Sequence, residues 1–455
     1  MNVIVSFCAI CLLLALGKFL RVKVRLFQML YLPSSVIGGL LGLVILQCGG
    51  DYIPAAWTAG WSRLPGILIT IVFAALFLGV NIPPLRSIWK QAGPQLAYGQ
   101  IVAWGQYVVG LGMVVLLLGP LMKVPSLFGV IVPVGFEGGH GTAGGLAPAF
   151  RDELGWAEGV DFMMASATAG IVAAIIVGMA LVNWAVRRGH VAHARPLADM
   201  AADELAGLYP ADNRPAAGRM TVNANSVDAL ALHLAIIGVA ITLGVIIKHL
   251  LVSLEGLTPG LREAGIMKAF PLFPLCMVGG LLVQLAMQRY GRTQVVDHGL
   301  MQRLAGTALD FLVVAAISMI RLEVIAGGML PFLLIIFAGI GWNVFCVMWL
   351  ARRLLPDAWF ERAMAEMGQS MGVTATGLLL LRVVDPENKT PALSAFGYKQ
   401  LLHEPFMGGG LWTSAAVLLV WRLGAWPVLG ISVAAVIAWL IAWKLLFAGK
   451  ASPGA

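Results

Sequence analysis

Two glycine-rich stretches hold the side chains best suited to binding ions. The first is Gly135-Phe136-Glu137-Gly138-Gly139-His140-Gly141-Thr142-Ala143-Gly144-Gly145, which sets one carboxylate, one imidazole and one hydroxyl among six glycines. Each glycine inside a helix is less favourable than alanine by about 1 kcal/mol, so this run suits a sharp backbone reversal better than a continuous helix. A reversal frees carbonyls that can coordinate Na+, and the N–H groups that open the following helix can hold a carboxylate. The second stretch is Gly368-Gln369-Ser370-Met371-Gly372-Val373-Thr374-Ala375-Thr376-Gly377. It offers the same kinds of ligand, with Na+ candidates in the tip carbonyls and the hydroxyls of Ser370, Thr374 and Thr376. The alternative use of both stretches is close helix packing through small residues.

Isolated polar residues in apolar surroundings come next, because an ionisable group in hydrocarbon costs at least a few kcal/mol. Asp310 lies midway along an apolar run and is open to two readings, an ion ligand or proton carrier, or a buried pair with an arginine. Glu137 is either a cation ligand or a residue of an exposed mouth, and His140 either holds substrate or positions the turn by hydrogen bonds. His403 and Glu404 precede Pro405, where their helix can break, so Glu404 is a further site candidate. Arg321 and Glu323 read as an interfacial pair. Asn81, Gln100, Gln106 and Asn343 fit interhelical hydrogen bonding better than ligation.

The elements that must position these residues are membrane helices. Of 455 residues, 60% are apolar and 11% charged, against about 25% charged in soluble domains. The mean hydropathy is +0.89. This excludes an ordinary water-soluble enzyme. The formal charge of +8 does not point to nucleic acid, because the basic residues sit in short connections between apolar runs, where they anchor a cytoplasmic face. Cys8, Cys11, Cys48, Cys276 and Cys346 all lie in apolar stretches, which fits neither a disulfide framework nor a zinc site.

A helix crosses the hydrocarbon in about 20 residues. Spans are expected at 2–17, 31–48, 64–80, 95–119, 160–186, 229–252, 269–288, 303–320, 328–351, 396–420 and 427–447. Basic residues follow the first span, at Lys18, Arg21, Lys23 and Arg25, and none precedes it, so the N-terminus is expected outside and the first span retained. With that orientation only Arg63, Lys123, Arg151, Lys248, Arg262, Lys268, Arg321 and Arg422 fall outside. The rest of the 30 Lys and Arg fall inside, as the positive-inside rule requires. The bookkeeping holds if 127–148 enters and leaves from outside and 364–381 from inside, each as a re-entrant hairpin.

The expected fold is therefore an all-α polytopic membrane protein of two inverted five-helix repeats, each with a re-entrant hairpin, plus one extra C-terminal helix. The first repeat covers 1–186, a cytoplasmic linker 187–228 and the second repeat 229–420. The added helix at 427–447 leaves the C-terminus in the cytoplasm. Five crossings per copy is an odd number, which makes the second copy inverted.

Gly138-Gly139-His140-Gly141-Thr142 resembles the G-G-H-G-T signature of the sodium/glutamate symporter family. Leu32-Pro33-Ser34-Ser35-Val36-Ile37-Gly38-Gly39 and Leu78-Gly79-Val80-Asn81-Ile82 are similar to that family's second span and the end of its third. The resemblance covers the first ten spans. It implies a homodimeric secondary transporter of a bacterial inner membrane, with inverted repeats, Na+ as coupling ion, no cofactor and glutamate or a related small carboxylate as substrate. It also carries Gly138, Gly139, His140, Gly141 and Thr142 over as site residues. The chain departs from the pattern at Gln369, Ser370 and Met371, where relatives are richer in glycine and aromatic residues, and in its eleventh span.

Combined, the two stretches give a substrate and ion site of Gly138, Gly139, His140, Gly141, Thr142, Gly368, Gln369, Ser370, Gly372, Thr374 and Thr376, with Glu137, Asp310 and Glu404 as secondary candidates. The expected mechanism is alternating access, with the two tips meeting near the midplane and a unit carrying both tips moving against a scaffold. An H+-coupled carboxylate carrier and a channel are the alternatives, since re-entrant hairpins also build filters. Gly368-Gln369-Ser370-Met371-Gly372 satisfies G-x-S-x-G, which leaves an intramembrane serine hydrolase using Ser370 with His403 or His140 as the enzyme rival. No H-E-x-x-H, Walker A or G-x-G-x-x-G in a βαβ setting occurs.

Overall fold

A computed structural model describes residues 2–49, 52–58, 60–82, 85–191, 206–210, 214–257 and 259–448. Much of the linker expected at 187–228 therefore lies outside the described residues. The described chain is helical, with no strand among those residues, as continuous apolar runs without period-2 alternation require. Among them nine helices are long and apolar enough to cross a membrane. Together with the composition, this makes the chain an integral membrane protein.

The principal helices are α1 (Asn2–Lys23), α2 (Ser34–Gly49), α3 (Leu64–Ala75), α4 (Leu85–Met113), α5 (Gly139–Asp152), α6 (Glu158–Arg187), α7 (Ala229–Leu257) and α8 (Phe273–Arg289). They continue as α9 (His298–Ser318), α10 (Met329–Phe345), α11 (Trp359–Val384), α12 (Ala392–Phe406), α13 (Leu411–Leu423) and α14 (Ala425–Leu446). Three expected spans are shorter helices than anticipated: α2 has 16 residues, α3 has 12 and α8 has 17. The third ends early because the chain unwinds after Ala75. Gly79 turns there at φ +77, and the Gln284 side chain holds the free backbone, accepting from Gly79 N at 2.9 Å and donating to Val80 O at 2.7 Å. The amide thereby satisfies half-buried backbone groups just beyond the helix end.

Packing follows two groups of helices. In one, α1 lies on α2 and α7 on α8, while α3 and α9 pack on each other; α2 covers α9 and α8 covers α3. In the other, α4 packs on α10, α12 and α14, and α6 packs on α5 and α11. The groups meet where α5 lies along α3 and α9. At that seam Gly144 matters for close approach, because a Cβ there would stand 2.5 Å from Pro65 Cβ. The glycine-rich run after Gly139 is thus helical, where a sharp backbone reversal was expected in place of a continuous helix. Its small residues bring α5 close to α3, and the turn itself is confined to Gly138 and Gly139.

Candidate functional site

Three breaks in helical structure come together. The first follows a short 3-10 turn at Ser126–Val130 and a π turn at Pro133–Glu137, where a proline without an N–H sits at the start. Gly139 then takes φ +66, which glycine adopts without steric cost, and α5 begins. The second break divides α11: Gly372 (φ −152, ψ 30) and Val373 (φ 63, ψ 173) leave helical geometry. The chain reverses there, since a Cβ on Gly368 would lie 2.6 Å from Gly377 Cα, a separation that a straight helix cannot give to residues nine apart. A β-branched residue at positive φ is held by its surroundings. Here the surroundings are the other tip, because the Cβ position of Gly139 lies 2.5 Å from Val373 Cγ1. The third break separates α12 from α13 beyond Pro405, with Gly409 at φ +94 against Thr142.

A buried polar chain ties the breaks together. His403 of α12 bonds Glu137 Oε1 through Nε2. Gln369 donates to the same oxygen at 3.0 Å. Lys399, one turn before His403, donates to Glu366 Oε1 at 2.8 Å and to Gln369 Oε1 at 3.3 Å. Gln95 of α4 donates to Glu366 Oε2 at 3.0 Å. Gln100 Nε2 meets His403 Nδ1 at 3.3 Å and is oriented by Trp104, whose indole N–H donates to Gln100 Oε1 at 3.1 Å. Trp104 in turn packs on Trp412 with ring centroids 4.4 Å apart. Buried ions survive in such a place only when paired and hydrogen-bonded.

A second cluster stands at the α11 turn. Thr374 Oγ1 donates to Glu404 Oε2 at 2.6 Å, and Gln400 Nε2 reaches Thr374 Oγ1 at 2.5 Å and Glu404 Oε2 at 2.8 Å. The structure thus brings Glu404 to the second tip. Ser370 and Thr376 point elsewhere: Ser370 Oγ donates to Asn343 Oδ1 at 2.6 Å, and Thr376 Oγ1 to Gly372 O at 2.5 Å. Among the described residues no histidine partners Ser370: His403 binds Glu137 and Gln100, and His140 meets Thr168 Oγ1 at 2.9 Å. Two oxygens at the first tip are buried without a hydrogen-bond partner among the described residues, Glu137 Oε2 and Thr142 Oγ1. Glu137 is only 2% exposed, so it does not belong to an open mouth.

The other expectations divide. Gln106 and Asn343 act between helices, Gln106 by donating to Ser370 O at 2.6 Å, and Gln288 donates to Asn81 at 3.3 Å. Asp310 stands apart from the polar chain. It is exposed on α9 and hydrogen-bonds Ser35 of α2, with no arginine pairing among the described residues. Arg321 pairs with Asp161 of α6 rather than with Glu323, donating through Nε and Nη2 at 3.1 and 2.8 Å. Lys399, counted among the inside connections, is fully buried in α12. Neither Lys399 nor Glu366 was expected at the site. The signal was present in the spacing: Lys399, Gln400, His403 and Glu404 recur at helical intervals on one segment, and Glu366, Gln369 and Ser370 on another.

The model of the sodium/glutamate symporter family matches residues 1–384. The chain belongs to that family. It is similar to the sodium/glutamate symporter of Escherichia coli K12, 24% identical over 403 residues, covering 87% of this chain and 92% of that protein. The corresponding symporter of Haemophilus influenzae is 20% identical over 402 residues, covering 87% of this chain and 91% of its own length. No solved structure matches the chain. Membership of a transporter family removes the enzyme reading. Lys399, His403 and Glu404 lie beyond the residues matched by the family model.

Proposed function

We propose that this symporter-family protein takes up glutamate or a related small carboxylate with Na+, by alternating access, in a bacterial inner membrane. The observation that carries the reading is the pair of unpartnered buried oxygens, Glu137 Oε2 and Thr142 Oγ1, where the two chain reversals touch. A bare carboxylate oxygen in low dielectric favours a cation, and Na+ takes oxygen ligands. Tip carbonyls add further ligands. Gly138, Gly139, His140, Gly141, Gly368, Gln369 and Gly372 shape the surrounding backbone, while Thr374 and Glu404 form a second polar position on the other tip. An anionic substrate then gains from the bound cation, since opposite charges offset one another's desolvation.

The two hairpins are read as re-entrant and the two halves as inverted repeats. Support comes from matched packing, in which α1 on α2 parallels α7 on α8, and α2 on α9 parallels α8 on α3. Movement is assigned to the group that holds both tips, sliding along α3 and α9 as scaffold. The N-terminus is placed outside, the C-terminus in the cytoplasm, and the working unit is a homodimer.

The test is uptake of labelled glutamate into proteoliposomes under an inward Na+ gradient and, separately, an equal K+ gradient. Accumulation with Na+ alone is expected. Accumulation driven instead by a proton gradient would replace the coupling ion, and equilibration without accumulation would make the protein a channel.

A further inference from the structure

The buried polar chain contains a cation that the proposed function does not use. Lys399 and Glu366 are both 0% exposed and 2.8 Å apart. Gln95 fills the other oxygen of Glu366, so that carboxylate is fully satisfied. Gln369 accepts from Lys399 with its Oε1 and donates to Glu137 with its Nε2, so a single amide separates the ammonium from a carboxylate with a bare oxygen. Among the described residues, the other ionisable groups facing this chain include His403, on the bonded oxygen of Glu137, Glu404, one residue further along α12, Tyr98 and Cys346 near Glu366, and Tyr107 near Glu137. Lysine's flexible four-carbon stem and three donors allow its charge to be shared between neighbouring acceptors.

We propose that Lys399 is a resident cation, held by Glu366, which competes with the transported cation for Glu137. The inference rests on reading Glu137 as the cation position. While Glu366 is charged it neutralises Lys399 and leaves Glu137 to an exchangeable ion. Without the charge on Glu366, the carboxylate that Gln369 links to the buried ammonium is Glu137, and Lys399 fills the place that Na+ would take. A buried charge left unpaired is far more costly than one that re-pairs, which is the driving force for the exchange.

The test uses full-length purified protein and Na+ itself as the probe, without glutamate. The thermal midpoint is measured in sodium chloride and in choline chloride at equal ionic strength. Wild type is expected to gain stability from Na+, and Glu366→Gln to lose at least two thirds of that gain. Glu366→Gln/Lys399→Met is expected to recover it, because the competing cation is gone. A purely structural role for the pair would lower the midpoint of Glu366→Gln in both salts and leave the Na+ increment unchanged. That result, an unrestored double variant, or a wild type indifferent to Na+ would overturn the proposal. If Glu366→Gln does not fold, Lys399→Met gives a second reading. It leaves two acids without a fixed cation, so the Na+ dependence of its stability must become steeper than that of wild type, and an unchanged slope overturns the proposal. The substrate reading fails separately: Na+-driven glutamate uptake can be absent while the Na+ pattern of the variants holds.

Discussion

Replacing Gly368 by alanine tests the reversal of α11. The new Cβ would stand 2.6 Å from Gly377 Cα, Gly377 N and Thr376 O, all of them backbone atoms. Carbon atoms in contact normally lie about 3.5–4.0 Å apart, so the two arms must separate by about 1 Å. Overpacking of this kind costs about 1–3 kcal/mol, and alanine's better helix propensity returns up to about 1 kcal/mol. With the full return the net loss is about 0–2 kcal/mol, up to a factor of about 30 in the folded equilibrium. Gly430→Ala in α14 is the control, since nothing lies within 4 Å of its Cβ position and only the propensity gain applies. Thermal unfolding of both purified variants, with uptake per inserted protein, measures the difference. Gly368→Ala is expected to melt below wild type and to lose most uptake, while Gly430→Ala melts at or above it. Equal melting temperatures and uptake within twofold of wild type for Gly368→Ala would refute the folded-back arrangement of Gly368 on Gly377.

Glu137→Gln keeps the shape at the first tip but removes the charge from the bare oxygen, so the Na+ concentration for half-maximal uptake should rise at least tenfold; an unchanged value would place the cation elsewhere. Arg321→Ala removes a guanidinium that is itself half exposed from an Asp161 side chain only 7% exposed, and a loss of about 1–2 kcal/mol is expected once solvent screening is allowed for. Arg321→Ala/Asp161→Asn should cost less than the sum of the single variants in a thermal double-mutant cycle. Asp297 caps α9, and the Leu300 N–H at 2.9 Å holds its carboxyl below the ordinary range. A depressed folded pKa gives stability that is present above the unfolded value of about 4 and is lost as pH falls through the folded value. Asp297→Ala should therefore be less stable by about 1 kcal/mol at neutral pH, with the gap to wild type closing below about pH 4 in a pH series of unfolding scans.

The reach of the sequence varies from element to element. Span α7 is legible because 229–257 is one long apolar run, and burial in hydrocarbon depends on composition alone. Span α3 is misjudged at its end because the stop after Ala75 depends on Gln284, some two hundred residues away in sequence. The tip residues Gly138 and Gly139 are legible because glycine density marks a turn. Their neighbours Gly141, Gly144 and Gly145 carry the same letter yet sit in a helix, since a glycine serves a turn or a close contact equally well and only the partner decides which.

The same division runs through the ionic residues. Sequence by itself determines that this is a membrane protein, where most of its long helices fall and which family it belongs to, because hydropathy and local signatures are properties of contiguous chain. Tertiary structure decides that Lys399 is buried against Glu366, that Arg321 chooses Asp161 over Glu323, and that Glu137 keeps one oxygen bare. Those outcomes depend on which charges are brought within about 3 Å of one another in low dielectric, where pairing energy is large and short-ranged. Spacing along the chain does not set that distance; the packing of α4, α11 and α12 around the two tips does.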